Sequence, residues 1–70
     1  MKKYIGTWYA NGGATFPCEP TESENKNKLF RLMKAFARGE TFSGNGWHAL
    51  VWRADDEDRK PILEAWGIGR

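Results

Sequence analysis

The stretch that decides the fold is TESENKNKLFRLMKAFARG, residues Thr21–Gly39. Its pattern predicts one α-helix over Glu22–Arg38. At the start, Thr21 and Glu24 have the spacing of a capping box, in which each side chain accepts a hydrogen bond from the backbone amide of the other residue. At the end, Gly39 is suited to the left-handed conformation that closes many helices. The segment therefore reads as a helix with a signal at each end.

The predicted helix has one apolar face and one basic face. Apolar side chains recur at the i, i+3, i+4, i+7 spacing that forms a stripe along a helix; they are Leu29, Leu32, Met33 and Phe36. The opposite face carries Asn27, Arg31, Lys34 and Arg38. Five basic residues follow Glu24 before the helix ends, and no acidic residue lies among them. We expect the apolar stripe to pack on a sheet and the basic face to meet solvent or an anionic partner.

The remaining elements are predicted to be strands, because aromatic and β-branched residues dominate them. Lys2–Ala10 and Trp47–Arg53 give the clearest signals. Ala14–Phe16 follows the turn-forming Asn11-Gly12-Gly13 and is expected to be a short, poor strand, since nearby prolines lack ladder donors. Pro61–Ile68 fits a strand or a short helix, and a strand is favoured because eight residues make a marginal helix.

Together these elements predict an α+β fold in β-β-α-β-β order. One helix is expected to lie across an antiparallel sheet of three or four strands. We expect residues 1–70 to form a single small domain, with Phe42 closing one end of the core. A chain of 70 residues buries little surface, so it depends on efficient packing or on oligomerisation.

Composition excludes several stabilising devices and narrows the setting. Cys18 is the only cysteine, so an intramolecular disulfide is ruled out, and with His48 as the only histidine a structural zinc site is ruled out as well. No apolar run reaches membrane-spanning length, and the N-terminal residues lack the apolar segment of a signal peptide. We therefore expect no metal, no cofactor, no membrane association and a reducing, cytoplasmic environment.

The sequence offers no convincing catalytic motif, so we expect no enzymatic activity. Cys18 beside His48 would need a third orienting group, and the adjacent Glu19 carboxylate disfavours the thiolate. The acidic run Asp55–Asp58 lacks the spacing of a calcium loop, and it is more typical of a solvated turn or of a docking contact for a basic partner. The glycine clusters lack the Lys-Ser/Thr pair of a phosphate-binding loop and are predicted to be turns.

The functional hypotheses rest on surfaces. Four tryptophans, four phenylalanines and two tyrosines exceed what one small core needs, so some should remain on the sheet face away from the helix. Such a face can anchor a protein interface or stack single-stranded bases. The predicted partner-binding residues are Arg31, Lys34, Arg38, Trp8, Trp47 and Trp52.

We expect a small non-enzymatic protein-interaction module of the regulator, adaptor or inhibitor type. It would bind a macromolecular partner through its aromatic sheet face, its basic helix face or both, or form a homodimer that covers the sheet. By size alone it is similar to phage- or plasmid-encoded inhibitors. The alternative is a nucleic-acid-binding domain, in which the basic helix face contacts phosphates and tryptophans stack on bases. A steep loss of oligonucleotide affinity with salt would favour the alternative.

Overall fold

The computed structural model of the chain describes residues 3–11 and 20–69. In these residues one α-helix lies against a four-stranded antiparallel sheet, which confirms the predicted α+β class and the β-β-α-β-β order. The elements are β1 (Tyr4–Tyr9), β2 (Thr21–Ser23), α1 (Lys26–Glu40), β3 (Gly46–Arg53) and β4 (Pro61–Ile68). Pro61–Ile68 is thus a strand, as favoured from its length.

The sheet has the strand order β2-β1-β3-β4, so β1 and β3 are its interior strands. β3 pairs with β1 on one side and with β4 on the other. Tyr9 is opposite His48 in the first pairing, and His48 is opposite Trp66 in the second. This register places residues from three strands in one row across the sheet.

A strand pairs with β1 where the prediction placed the start of the helix. Ala14–Phe16 lies outside the described residues, and the strand that pairs with β1 is Thr21–Ser23, with Gly6 opposite Thr21. Thr21 therefore belongs to the sheet, and the predicted capping box with Glu24 is wrong. The physical reason is that backbone pairing with β1 satisfies residues that a helix start would leave partly unbonded.

The helix begins at Lys26, four residues later than predicted. Asn25 is its N-cap, and its Oδ1 accepts a hydrogen bond of 3.1 Å from the backbone amide of Lys28. The Ser23 hydroxyl accepts another, of 3.1 Å, from the amide of Asn25. Asparagine is as good an N-cap as threonine or better, so a second valid start signal lay inside the predicted helix.

The helix also ends later than predicted, at Glu40. Gly39 lies inside it, and Thr41 follows with an extended backbone. The Thr41 hydroxyl donates to the Ala37 carbonyl and its amide donates to the Arg38 carbonyl at 3.3 Å. Because Thr41 satisfies these terminal carbonyls, no left-handed glycine is needed there. Gly44, in the following loop, takes the positive φ of 85°.

The core lies between one line of helix residues and the centre of the sheet. Leu29, Met33 and Ala37 are buried on α1 and face the buried Ala49 and Val51 of β3. The close approach depends on Gly6: a Cβ atom there would lie 2.7 Å from Met33 Cγ. The buried helix residues, Leu29, Met33 and Ala37, have the spacing i, i+4, i+8.

Two side chains predicted to be in the apolar stripe lie at its margin. Leu32 is 41% exposed and Phe36 is 46% exposed, because the helix is rotated so that the line through Met33 faces the sheet. The prediction that Phe42 closes the core is wrong, since this side chain is 69% exposed. The buried Thr41 occupies that end, where the backbone at Gly69 packs closely against it.

Candidate functional site

The sheet has an inner face covered by α1 and an outer face that the helix does not cover. Successive strand residues alternate between the two faces. On β3, Trp47, Ala49 and Val51 belong to the inner face with the core, whereas His48 and Leu50 belong to the outer face. Neighbouring residues of one strand thus supply two different surfaces.

The outer face carries three stacked rings, which we call the aromatic row: Tyr9, His48 and Trp66. The rings of His48 and Trp66 are 4.6 Å apart between centroids and inclined by only 8°. Those of Tyr9 and His48 are 6.0 Å apart and inclined by 28°. The row runs across β1, β3 and β4 at directly paired positions.

The backbone pairing explains why the rings of His48 and Trp66 are so close. The Gly69 amide donates to the Asn45 carbonyl at 2.7 Å, so these opposed residues form a hydrogen-bonded pair. Alternation then makes His48 and Trp66, three positions further in, a non-hydrogen-bonded pair, in which Cα atoms approach to about 4.5 Å. Side chains at such positions are close enough to stack.

The aromatic row is held in place by a polar contact. His48 Nε2 lies 2.8 Å from Glu64 Oε1, and both side chains are partly exposed. Because Glu64 and Trp66 are two positions apart on β4, they lie on the same face and hold the imidazole from two sides. His48 is therefore satisfied by a neighbour, and Cys18 lies outside the described residues.

The exposed tryptophan of the outer face is Trp66, not Trp52. Trp66 is 66% exposed, and Ile68 beside it is 77% exposed. Trp52, which was predicted to bind a partner, is only 8% exposed. It is opposite Ile5 on one side and Pro61 on the other, so neighbouring strands enclose it. The signal for Trp66 was the alternation of Glu64, Trp66 and Ile68 in the segment that also fitted a helix.

The inner side of the sheet provides a second candidate surface, the basic groove. It is a cavity of about 280 Å³ beside α1, and its lining consists of Arg31, Lys34, Ala35, Arg38 and Trp47. Four of these five residues were predicted from the sequence to bind a partner. Three come from the basic helix face, and the fourth comes from β3.

Close packing fixes the indole of the basic groove. A Cβ atom at position 67 would lie 2.5 Å from Trp47 Cε2 and Nε1, so the indole rests directly on the backbone of Gly67. Lys34 is also held, since its Nζ lies 4.5 Å from the centre of the Phe30 ring. Trp8 is absent from the lining; it packs against the core, 6.4 Å from the ring of Phe36.

The cations of the basic groove are not neutralised by the described part of the chain. No carboxylate within residues 3–11 and 20–69 forms an ion pair with Arg31, Lys34 or Arg38; the carboxylate contacts found there join Glu64 to the His48 imidazole and Asp55 to Arg53. The groove is therefore electropositive and open to an anionic group.

The acidic segment is a turn that its own side chains organise. Asp56 Oδ1 accepts from the Asp58 amide at 3.0 Å, and its Oδ2 accepts from the Lys60 amide at 3.3 Å. Among residues 3–11 and 20–69, no group of three or more histidine, cysteine or acidic side chains is arranged to hold a metal ion. Asp56 thus has a structural role in the connection between β3 and β4.

Comparison with models of protein families, with curated proteins and with solved structures gives no match to this chain. Within the two described ranges, no helix is both long and apolar enough to cross a membrane. The outer face and the basic groove are therefore the features from which a function can be inferred.

Proposed function

We propose that this chain is a non-enzymatic interaction module, of the regulator, adaptor or inhibitor type, that binds a protein through the outer face of its sheet. The observation that carries the proposal is the aromatic row, which ends in an indole that is two-thirds exposed on the sheet face that α1 does not cover. Tryptophan and tyrosine dominate the binding energy of protein interfaces, and large exposed apolar groups beside one another mark such interfaces.

The rigidity of the row supports binding rather than incidental exposure. The ring of His48 is stacked on Trp66 and bonded to Glu64, so the indole is supported before any partner arrives. A side chain that is already ordered loses less entropy when it enters an interface. The row is therefore a preorganised anchor.

The chemistry of the outer face indicates the type of protein surface that fits it. Exposed apolar side chains lie on β4, namely Ile62, Trp66 and Ile68. The carboxylate of Glu64 is on the same face. No residue that faces outward on β1, β3 or β4 is a lysine or an arginine. A partner segment with apolar side chains and an arginine would match, because arginine can pair with the carboxylate and lie over the indole.

Replacement of the exposed indole tests the proposal. The immobilised chain is used to capture proteins from a lysate of its source cells. The affinity of the captured protein is then measured for the unmodified chain and for Trp66→Ala. We expect at least about a tenfold loss of affinity, typical of an interface anchor. The matched control is Phe42→Ala, which removes an equally exposed aromatic ring in the α1–β3 loop and should leave affinity unchanged.

A second copy of the chain is one protein partner that the same variants detect. In that case sedimentation velocity shows a dimer for the unmodified chain and for Phe42→Ala, and a monomer for Trp66→Ala. The proposal is contradicted if the captured protein, or the second copy, binds Trp66→Ala as tightly as it binds the unmodified chain.

A further inference from the structure

The basic groove is a separate site from the outer face, because it lies on the side of the sheet that α1 covers. We infer that it binds single-stranded nucleic acid, with the helix cations on phosphates and the Trp47 indole stacked on a base. The inference rests on the convergence of three cations and one indole around the same cavity. This combination of positive charge and an aromatic platform is what sequence-tolerant single-strand binding sites share.

The cations form a track along the helix axis. Arg31, Lys34 and Arg38 follow one another at intervals of three and four residues, which correspond to axial steps of about 4.5 and 6 Å. A strand that runs along α1 therefore meets a cation at each step. Ala35 lies among them with a small side chain, which leaves room for a backbone to approach the helix.

The indole distinguishes this ligand from other anions. An acidic peptide could satisfy the cations, but its carboxylates would make no use of Trp47 at the same cavity. A base in duplex form has both of its faces stacked already, so it offers none to the indole. A single strand satisfies both features of the groove.

The outer face does not offer the same combination. Its aromatic row is accompanied by the carboxylate of Glu64, which repels phosphate, and no lysine or arginine alternates with the rings on β1, β3 or β4. Of the outer face and the basic groove, only the groove places cations beside its aromatic ring.

The test is a salt titration of binding to fluorescein-labelled oligothymidine and oligouridine of about 12 nucleotides. Between about 50 and 200 mM salt, three phosphate contacts on a single strand predict a slope of log affinity against log salt of about −2. A duplex of the same length is the comparison ligand and should bind more weakly. Binding of neither single strand at the lowest salt would overturn the inference.

Charge-matched variants locate the contact. Lys34→Gln should weaken binding and reduce the magnitude of the salt slope by about 0.7, the contribution of one phosphate of a single strand. Lys60→Gln removes the same charge from an exposed position just before β4, at the end of the β3–β4 hairpin away from Trp47 and Gly67, and it should leave the slope nearly unchanged. Equal effects of the two variants would show general attraction to a positive chain and would contradict the site.

The stacking contact has its own signature. Trp47→Leu should lower affinity by about tenfold, the usual loss for one stacked base, without changing the salt slope. Trp47→Phe keeps a ring and should restore much of the affinity, which separates stacking from a general structural effect. Full affinity of Trp47→Leu, or a preference for duplex, would overturn the inference. Trp66→Ala should bind the oligonucleotides normally, because Trp66 does not line the groove. The test of the groove and the test of the outer face are therefore independent of each other.

Discussion

The outer face and the basic groove lie on opposite sides of β3, and they differ in how each indole is presented. Trp66 is supported by a stacked imidazole and projects into solvent, with a carboxylate beside it. Trp47, one position before His48 on β3, rests on the Gly67 backbone among three cations. The same residue type therefore has two different chemical surroundings, because the alternation of a strand places neighbouring positions on opposite faces of the sheet.

The two surfaces are built from separate side chains. They share the β3–β4 ladder and the core, but they share no side chain. A change in the core should impair both surfaces, whereas a change at one surface should spare the other.

The largest effect is expected from Leu29→Ala, which should impair both surfaces together. Leu29 is buried between α1 and β3, and its truncation should cost about 2–5 kcal/mol of the free energy of unfolding. That cost is comparable to the whole stability expected of so small a domain. Urea unfolding followed by circular dichroism measures it.

The control for that variant is Leu32→Ala, three residues further along the predicted stripe. Because Leu32 lies partly exposed at the margin of the core, the loss should be about 1 kcal/mol or less. Equal losses for the two leucines would contradict the orientation of α1 and, with it, the position of the basic groove.

The second prediction separates the surfaces. Gly67→Ala places a methyl group about where the Trp47 indole now lies, so the indole must move and the unfolding free energy should fall by about 1–3 kcal/mol. Oligonucleotide binding should weaken while the outer face keeps its partner. Isothermal titration with the oligonucleotide and with the partner measures the two affinities, and urea unfolding measures the change in stability.

The matched glycine is Gly39, where an added Cβ would meet no atom within 4 Å. Gly39→Ala lies inside α1 and should raise stability by about 0.5–1 kcal/mol, because alanine is the better helix former. If Gly67→Ala were also neutral or stabilising, the close packing of Trp47 on β4 would be wrong.

The third prediction concerns the start of the helix that carries the groove cations. Asn25→Ala removes the side chain that caps α1 and should cost about 1 kcal/mol. Thr21→Val, a β-branched replacement in the paired strand β2, should cost little. Thermal unfolding of both variants checks this; a larger loss for Thr21→Val would restore the earlier helix start.

The smallest effect is expected at the polar support of the aromatic row. Glu64→Gln removes the charge beside His48, and because both side chains are partly exposed it should change stability by only about 0.2–1 kcal/mol. Asp55→Asn, which removes the charge of the more exposed pair with Arg53, should change nothing measurable. Urea unfolding measures both variants. A greater loss of stability for Asp55→Asn than for Glu64→Gln would contradict a supporting role of the His48–Glu64 contact in the aromatic row.

The sequence was sufficient to predict the types of most elements and the basic face of the helix. Periodicity of three to four residues identified the helix, and aromatic and β-branched residues identified β1 and β3. Pro61–Ile68 also fitted a short helix, and its length favoured the strand that became β4. Arg31, Lys34 and Arg38 followed from helical spacing alone. These features are local, so a local pattern reveals them.

What the sequence could not show depends on contacts between distant residues. Thr21 and Asn25 are both acceptable helix caps, and the pairing of β2 with β1 decided between them. Trp52 and Trp66 have similar strand contexts in the sequence. Trp52 is buried because its strand, β3, lies between β1 and β4, whereas Trp66 is exposed on the edge strand β4. The meeting of Trp47 with the helix cations likewise required the position of α1 over the sheet.

We propose that the Trp66 end of the aromatic row is the surface that meets the protein partner. Oxidative footprinting of the four tryptophans by mass spectrometry, with and without the captured partner, locates the contact at single residues. In the free chain Trp66 should react fastest and the buried Trp52 slowest, and the partner should protect Trp66 while the reactivity of Trp47 is unchanged. A complex in which Trp66 reacts as fast as in the free chain would contradict the claim.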